Sequence, residues 1–165
     1  ISLLFPMEKL FEEYVFKLLR SDLSAGYTLK TQVSSQYLLD HKSKAMFKLK
    51  PDGLVTRYGI HRAVLDTKWK LLDEQLSGPK EKYKLSQSDF YQMFAYGMKY
   101  LNGSGELFLI YPSHSRFNHP LERFEFDKGL SLWVLPFDLK SGELLFNQDS
   151  AMPEWHTKLN GFRKY

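Results

Sequence analysis

Between residues 7 and 20 the apolar side chains Met7, Leu10, Phe11, Tyr14, Val15, Leu18 and Leu19 recur at helical spacing. Pro6 suits a helix start, and the stretch 22–26 ends it. The spacing predicts a helix with one buried face, bordered by Glu8 and Glu12, with Glu13 turned away. Two extended stretches are expected next, 27–39 and 45–56, joined by the polar turn Asp40-His41-Lys42-Ser43-Lys44. A third, 60–71, follows a turn around Tyr58-Gly59. The polar stretch 73–85, with Gly78-Pro79, is expected to be an exposed loop. A second helix, capped by Ser86 or Ser88, runs over 88–101 and closes at Asn102-Gly103-Ser104-Gly105. The short apolar run 106–111 has the character of a strand buried on both faces. Coming after a strand and a helix, it completes a βαβ unit and should lie parallel to a neighbour. Strands are expected near 121–126 and 130–137, and the pattern after Lys140 is too irregular to place. The order α-β-β-β-α-β-β predicts an α/β fold with a mixed central β-sheet flanked by α-helices.

A chain of 165 residues is long enough to bury one sizeable core, so a single domain over 1–165 is expected. The absence of cysteine excludes disulfides, thiolate zinc sites and Cys nucleophiles. No apolar run approaches the ~20 residues needed to cross a membrane, so no membrane partner is expected. The opening Ile1-Ser2-Leu3-Leu4-Phe5 is too short for a signal peptide, and a cytoplasmic location is expected. Because residue 1 is not methionine, the chain is expected to be a fragment of something longer. A net charge of +4 is compatible with a polyanionic partner. Basic residues are scattered through 42–50 and 80–84, which suits phosphate contacts and salt-sensitive binding, but neither helix is a basic recognition helix.

The residues with chemical potential lie in Leu49-Lys50-Pro51-Asp52-Gly53-Leu54-Val55 and Ala63-Val64-Leu65-Asp66-Thr67-Lys68-Trp69-Lys70. Each stretch reads as a strand yet holds an acid, although Asp is disfavoured in strand interiors. If the two strands form a hairpin centred on Gly59, symmetric pairing sets Asp52 opposite Asp66, with Cβ atoms ~5 Å apart. Carboxylates that close repel unless a cation lies between them, and oxygen ligands suit Mg²⁺, with Mn²⁺ as a substitute. Alternation brings Lys68 to the same face, with Lys70 one pleat beyond. A lysine there can orient an attacking water or neutralise charge on a phosphate. Thr67 should point its side chain away, leaving its carbonyl as a further metal ligand. A single β-bulge would break this register. Taken singly, each acid is better explained by a turn or an ion pair; the matched spacing with Lys68 reverses that preference. On the second helix Gln92 and Tyr96 are four apart and share a face. A Gln among aromatics calls for a polar partner, whereas Tyr96 alone is explained by core packing.

The set Leu10-Phe11-Glu12, Pro51-Asp52, Asp66-x-Lys68 and Gln92-x-x-x-Tyr96 resembles the PD-(D/E)xK nuclease superfamily. The wording of Lys9-Leu10-Phe11-Glu12-Glu13-Tyr14-Val15, of Leu65 to Lys70 and of Asp89-Phe90-Tyr91-Gln92-Met93-Phe94-Ala95-Tyr96 is similar to McrC-type restriction subunits. The resemblance implies a restriction endonuclease-like core with Asp52 and Asp66 as metal ligands, Lys68 in catalysis and Glu12 completing the acidic cluster. Gln92 and Tyr96 would support the site and contact DNA. It further implies double-stranded DNA as substrate and an McrB-like GTP-driven motor as partner; because a duplex cut needs two scissions, two copies are expected to meet on DNA, as a homodimer or brought together by the motors. The amino-terminal region through which such subunits engage the motor has no counterpart in this chain. Asp66 stands where many relatives carry Glu, a variation the motif allows. A catalytically silent nucleic-acid-binding or assembly module on the same fold is the alternative from another class. A resolvase-like or RNA-directed nuclease would share all these residues. Walker-type phosphate loops, nucleophile elbows and histidine ligand spacings are absent.

Overall fold

The computed structural model describes residues 6–147 and 152–157. Helix α1 (Met7–Ser21) leads into strands β1 (Tyr27–Thr31), β2 (Gln36–His41), β3 (Lys44–Leu49), β4 (Gly53–Arg57) and β5 (Ile60–Thr67). Helix α2 (Gln87–Tyr100) then precedes β6 (Gly105–Pro112), β7 (Phe124–Glu125), β8 (Leu130–Asp138) and β9 (Glu143–Leu144). Seven strands form a mixed sheet in the order β1-β4-β5-β6-β8-β7, with β9 paired to β8. As the βαβ pattern predicts, β6 lies parallel to β5, and also to β8. The mixed α/β class expected from the sequence is the class observed.

Each sheet face carries its own core. On one, α1 inserts Phe11, Val15, Phe16 and Leu19 against Val55, Leu65, Phe108 and Phe137. On the other, α2 packs Met93, Tyr96 and Tyr100 over Leu54, Val64, Leu107 and Leu109. Two glycines let the helices sit this close. A Cβ on Gly53 would come within 2.6 Å of Phe16 Cε1, and one on Gly97 within 2.6 Å of Leu130 Cδ2.

Several boundaries differ from the sequence expectation. The stretches 27–39 and 45–56 are not two long strands but four short ones. Gln32 takes a left-handed backbone (φ 58°), and Pro51 lacks the N–H that a continuing ladder needs. The outer halves therefore form a separate two-stranded ribbon, β2–β3, while the inner halves join the main sheet. On α1 the buried stripe is rotated from the one expected. Phe16 is buried, whereas Met7, Leu10 and Tyr14 stay largely exposed. Strand β5 stops at Thr67, and the Lys68 N–H makes a last bond to the Ile110 carbonyl as the chain leaves the sheet. The stretch 73–85 is not fully exposed, since Asp73 and Leu85 are both buried. Ser86 occupies the N-cap position of α2, but its hydroxyl pairs with Ser88 Oγ at 2.7 Å instead of a helix N–H. In the unpatterned stretch after Lys140, Trp155 is buried edge-on against Phe108, with ring centroids 5.1 Å apart. The opening segment 1–5 and the stretch 158–165 lie outside the described residues.

Candidate active site

The β4–β5 hairpin turns at Tyr58-Gly59, where both residues have positive φ (51° and 76°), the primed turn that suits strand twist. That two-residue turn pairs Arg57 with Ile60 and Thr56 with His61. Left uncorrected, it would pair Asp66 one residue away from Asp52. A bulge restores the count: Arg62 is left over between the Thr56–His61 and Val55–Ala63 pairs. Beyond it Gly53 faces Leu65, so Asp52, the residue before β4, stands next to Asp66 at the end of the ladder. This bulge, far from separating the two acids, is what brings them together.

The local bonds are specific. The Asp52 N–H donates to Asp66 Oδ1 at 3.2 Å. Asp52 Oδ2 accepts from the Thr67 N–H at 2.7 Å and the Thr67 hydroxyl at 2.9 Å. The Thr67 side chain, expected to face away, therefore helps hold the first acid. Lys68 Nζ lies 2.9 Å from Asp66 Oδ2, donates to Gln92 Oε1 at 2.9 Å, and lies 3.6 Å from Asp89 Oδ1. Gln92 thus finds its polar partner in Lys68. Tyr96 is a buried core aromatic whose hydroxyl donates to the Lys50 carbonyl, bracing the backbone just before Asp52. Lys70 lies exposed beyond the end of β5, so alternation no longer governs where it points. Glu12 is half-buried and bonded to Lys9 at 3.1 Å; with Lys9, Ser34, Lys50 and Asp52 it lines a cleft of about 300 Å³.

Electrostatics follow from burial. Burial, and then the charge of Asp66, push the Asp52 carboxyl up to about 6, against the two Thr67 donors. Asp66 is raised by burial, with Lys68 opposing. Burial disfavours the Lys68 ammonium, but Asp66, Asp89 and Asp52 outweigh it and hold its pKa above the ordinary value. Glu12 is raised by burial and then by Asp52, with Lys9 opposing. The result is a pair of strained, hard oxygen donors beside a firmly charged ammonium. Among the described residues no three His, Cys, Asp or Glu side chains stand close enough together to cage a metal by themselves.

Asp89 is the site residue that sequence reasoning passed over. An acid in the first turn of a helix is ordinary dipole compensation, and only the folded structure brings it to Lys68.

A carboxylate pair and a lysine at the end of two adjacent strands, backed by a helix, define an α/β domain with a charged site at one end of a mixed sheet. The chain belongs to the McrBC 5-methylcytosine restriction system component family, whose model matches residues 1–112. In fold it is similar to a chain of the refined half-complex from a tetradecameric assembly of Thermococcus gammatolerans McrB AAA+ hexamers with bound McrC. The TM-score is 0.59 at 17% identity, over 86% of this chain. This chain spans 30% of the length of that one. No curated protein matches.

Proposed function

We propose that this chain is the nuclease domain of a restriction subunit, hydrolysing DNA phosphodiester bonds with Mg²⁺ on the PD-(D/E)xK pattern. The observation that carries the reading is the meeting of Asp52, Asp66 and Lys68 at the end of the β4–β5 ladder. Family membership adds support. The donor set fits a divalent cation: two buried carboxylates, one of them pushed up to about 6, gain by sharing a positive charge. Asp52, Asp66 and the Thr67 carbonyl would hold the ion, with Glu12 at the margin. Mg²⁺ is commonly bound by one or two carboxylates, completing its shell with water and substrate phosphate. When bound, it would polarise a phosphoryl oxygen.

The protein's own part lies in positioning. Lys68, kept charged and tethered by Asp66 and Gln92, faces the phosphate or the attacking water with an ammonium whose location is set before substrate arrives. Thr67 fixes the Asp52 carboxylate, and Tyr96 fixes the backbone leading into it. An McrB-type motor, engaged through a region outside this chain, and a second copy on DNA for the opposite strand complete the proposal.

Plasmid nicking in Mg²⁺ or Mn²⁺ tests it, alongside calorimetric metal titration. Asp52→Asn and Asp66→Asn should lose both cutting and tight metal binding. Lys68→Ala should keep metal binding and lose cutting by on the order of a hundredfold or more. Lys70→Ala should cut nearly normally. Folded Asp52→Asn and Asp66→Asn proteins that nick at the wild-type rate would sink the nuclease assignment.

A further inference from the structure

The β2–β3 ribbon stands apart from the main sheet, pairing only with itself. Its strands run in register from Gln36↔Leu49 to His41↔Lys44 and close through Lys42 and Ser43, both left-handed. Apart from its base at Gln36, Tyr37 and Leu49, every residue of the ribbon is exposed. It carries four lysines counting Lys50 at its foot, Lys42, Lys44, Lys48 and Lys50, against one acid, Asp40. That is a net +3 of the chain's +4 in a small part of its length. Between the lysines stand exposed apolar groups: Leu38, Leu39, Met46 and Phe47.

Phe47 is the odd residue. Its backbone is left-handed (φ 61°), which a bulky non-glycine residue adopts only at a cost, and its side chain is 64% exposed. Folding does not use this ring. Cost at a solvent-facing aromatic directs attention to a ligand.

The ribbon is also continuous with the active site. Tyr100 donates to the Leu49 carbonyl at 2.7 Å and Tyr96 to the Lys50 carbonyl at 3.1 Å, clamping its foot to α2. Two residues later the chain reaches Asp52, and Lys50 lines the same cleft as that acid.

We infer that the β2–β3 ribbon is a DNA grip: its lysines track phosphates beside the cleavage site, and Phe47 with its apolar neighbours presses against base steps within a groove. The inference rests on the nuclease reading for its substrate. Charge complementarity selects DNA over a protein partner, because a protein-binding face this apolar would be depleted in lysine, not studded with it. Shape agrees as well. A six-residue ribbon is ~20 Å long, and the β-ribbons of DNA-binding proteins enter the minor groove as well as the major one. Apolar side chains set among basic ones are the wedge arrangement that unstacks base steps.

Two variants separate grip from wedge. In the triple variant Lys42→Ala, Lys44→Ala, Lys48→Ala, all three sites are exposed, so the fold should persist. In Phe47→Gly the left-handed strain is relieved, so melting temperature should hold or rise. Binding of a fluorescent 30-base-pair duplex (about three helical turns at ~10 base pairs each) is read by anisotropy across a salt series in Ca²⁺ without cleavage. The triple variant should bind on the order of tenfold or more weakly, with a log–log salt slope shallower by about 2 to 3. Phe47→Gly should keep the wild-type slope, bind more weakly, and lose the 2-aminopurine fluorescence rise that reports unstacking in the wild-type complex. Unchanged affinity and slope in the triple variant overturn the grip, and an unchanged 2-aminopurine signal in Phe47→Gly overturns the wedge. Wild-type protein that binds duplex through the ribbon but never nicks it would uphold the grip and defeat the nuclease reading. Wild-type protein with no affinity for DNA would defeat both.

Discussion

With its carboxyl pushed up to about 6, Asp52 keeps its proton in the folded protein at pH values where an unfolded aspartate has lost it. A raised acid pKa makes the folded state the tighter proton binder. Stability from this group is therefore greatest below the unfolded value near 4, falls as pH rises through about 6, where the folded acid is half ionised, and levels off above that. In Asp52→Asn the amide oxygen can still accept from Thr67 while the charge is gone. Without metal, that variant should match wild type near pH 4 and exceed it by on the order of 2 kcal/mol at pH 7, and millimolar Mg²⁺ should narrow the gap. A gap that stays flat with pH in denaturant melts would mean the acid is solvated and not held in a strained pair. At this scale the two acids and Lys68 could be named from the sequence, but their meeting rests on the Arg62 bulge, which offsets the two-residue turn and which symmetry about Gly59 does not contain. The hydroxyl of Thr67 was not legible. Alternation turns it away, and only the end of the strand at that residue lets it swing onto Asp52.

The elements tell a similar story about what local pattern can and cannot carry. Both helices and the buried parallel strand β6 follow from periodicity. The division of 27–39 and 45–56 into four strands does not, because it depends on which partner each half finds. The expected stripe on α1 was also off by a rotation, since the face a helix buries is chosen by what it packs on. Here Phe16 drops into the space left by Gly53. Gly53→Ala should accordingly cost about 1–3 kcal/mol in denaturant unfolding, as overpacking does. Adding Phe16→Leu should recover part of that cost, so that the double variant is less destabilised than the two single changes summed. Strict additivity would show that the two groups do not share one space. Because Gly53 adjoins Asp52, the same substitution should disturb metal binding as well as stability.

Taken whole, the molecule has two cores on opposite faces of one sheet and a basic ribbon at its side, but among the described residues no basic recognition helix: α1 balances Glu8, Glu12 and Glu13 with Lys9, Lys17 and Arg20, and α2 holds the single lysine Lys99. Phosphate contacts position without specifying. The purified chain should therefore nick DNA slowly and at no preferred sequence, as judged by sequencing the ends it leaves. Efficient double-strand cuts at one defined site would reveal a base-reading element within this chain. The path of the chain through the α1-side core also bears on the order in which the site is assembled during synthesis. Residues 52–68 make a local hairpin that can close soon after it leaves the ribosome. Helix α1, which bears Glu12, precedes it in the chain, yet it beds down on Phe137, with Phe11 and Tyr14 both against that ring, and shares its core with Trp155. At ordinary translation speeds those partners follow Glu12 by on the order of ten seconds. Of the acids at the site, Glu12 is made before Asp52 and Asp66, yet with its helix completed only by these late partners it is expected to be seated after both.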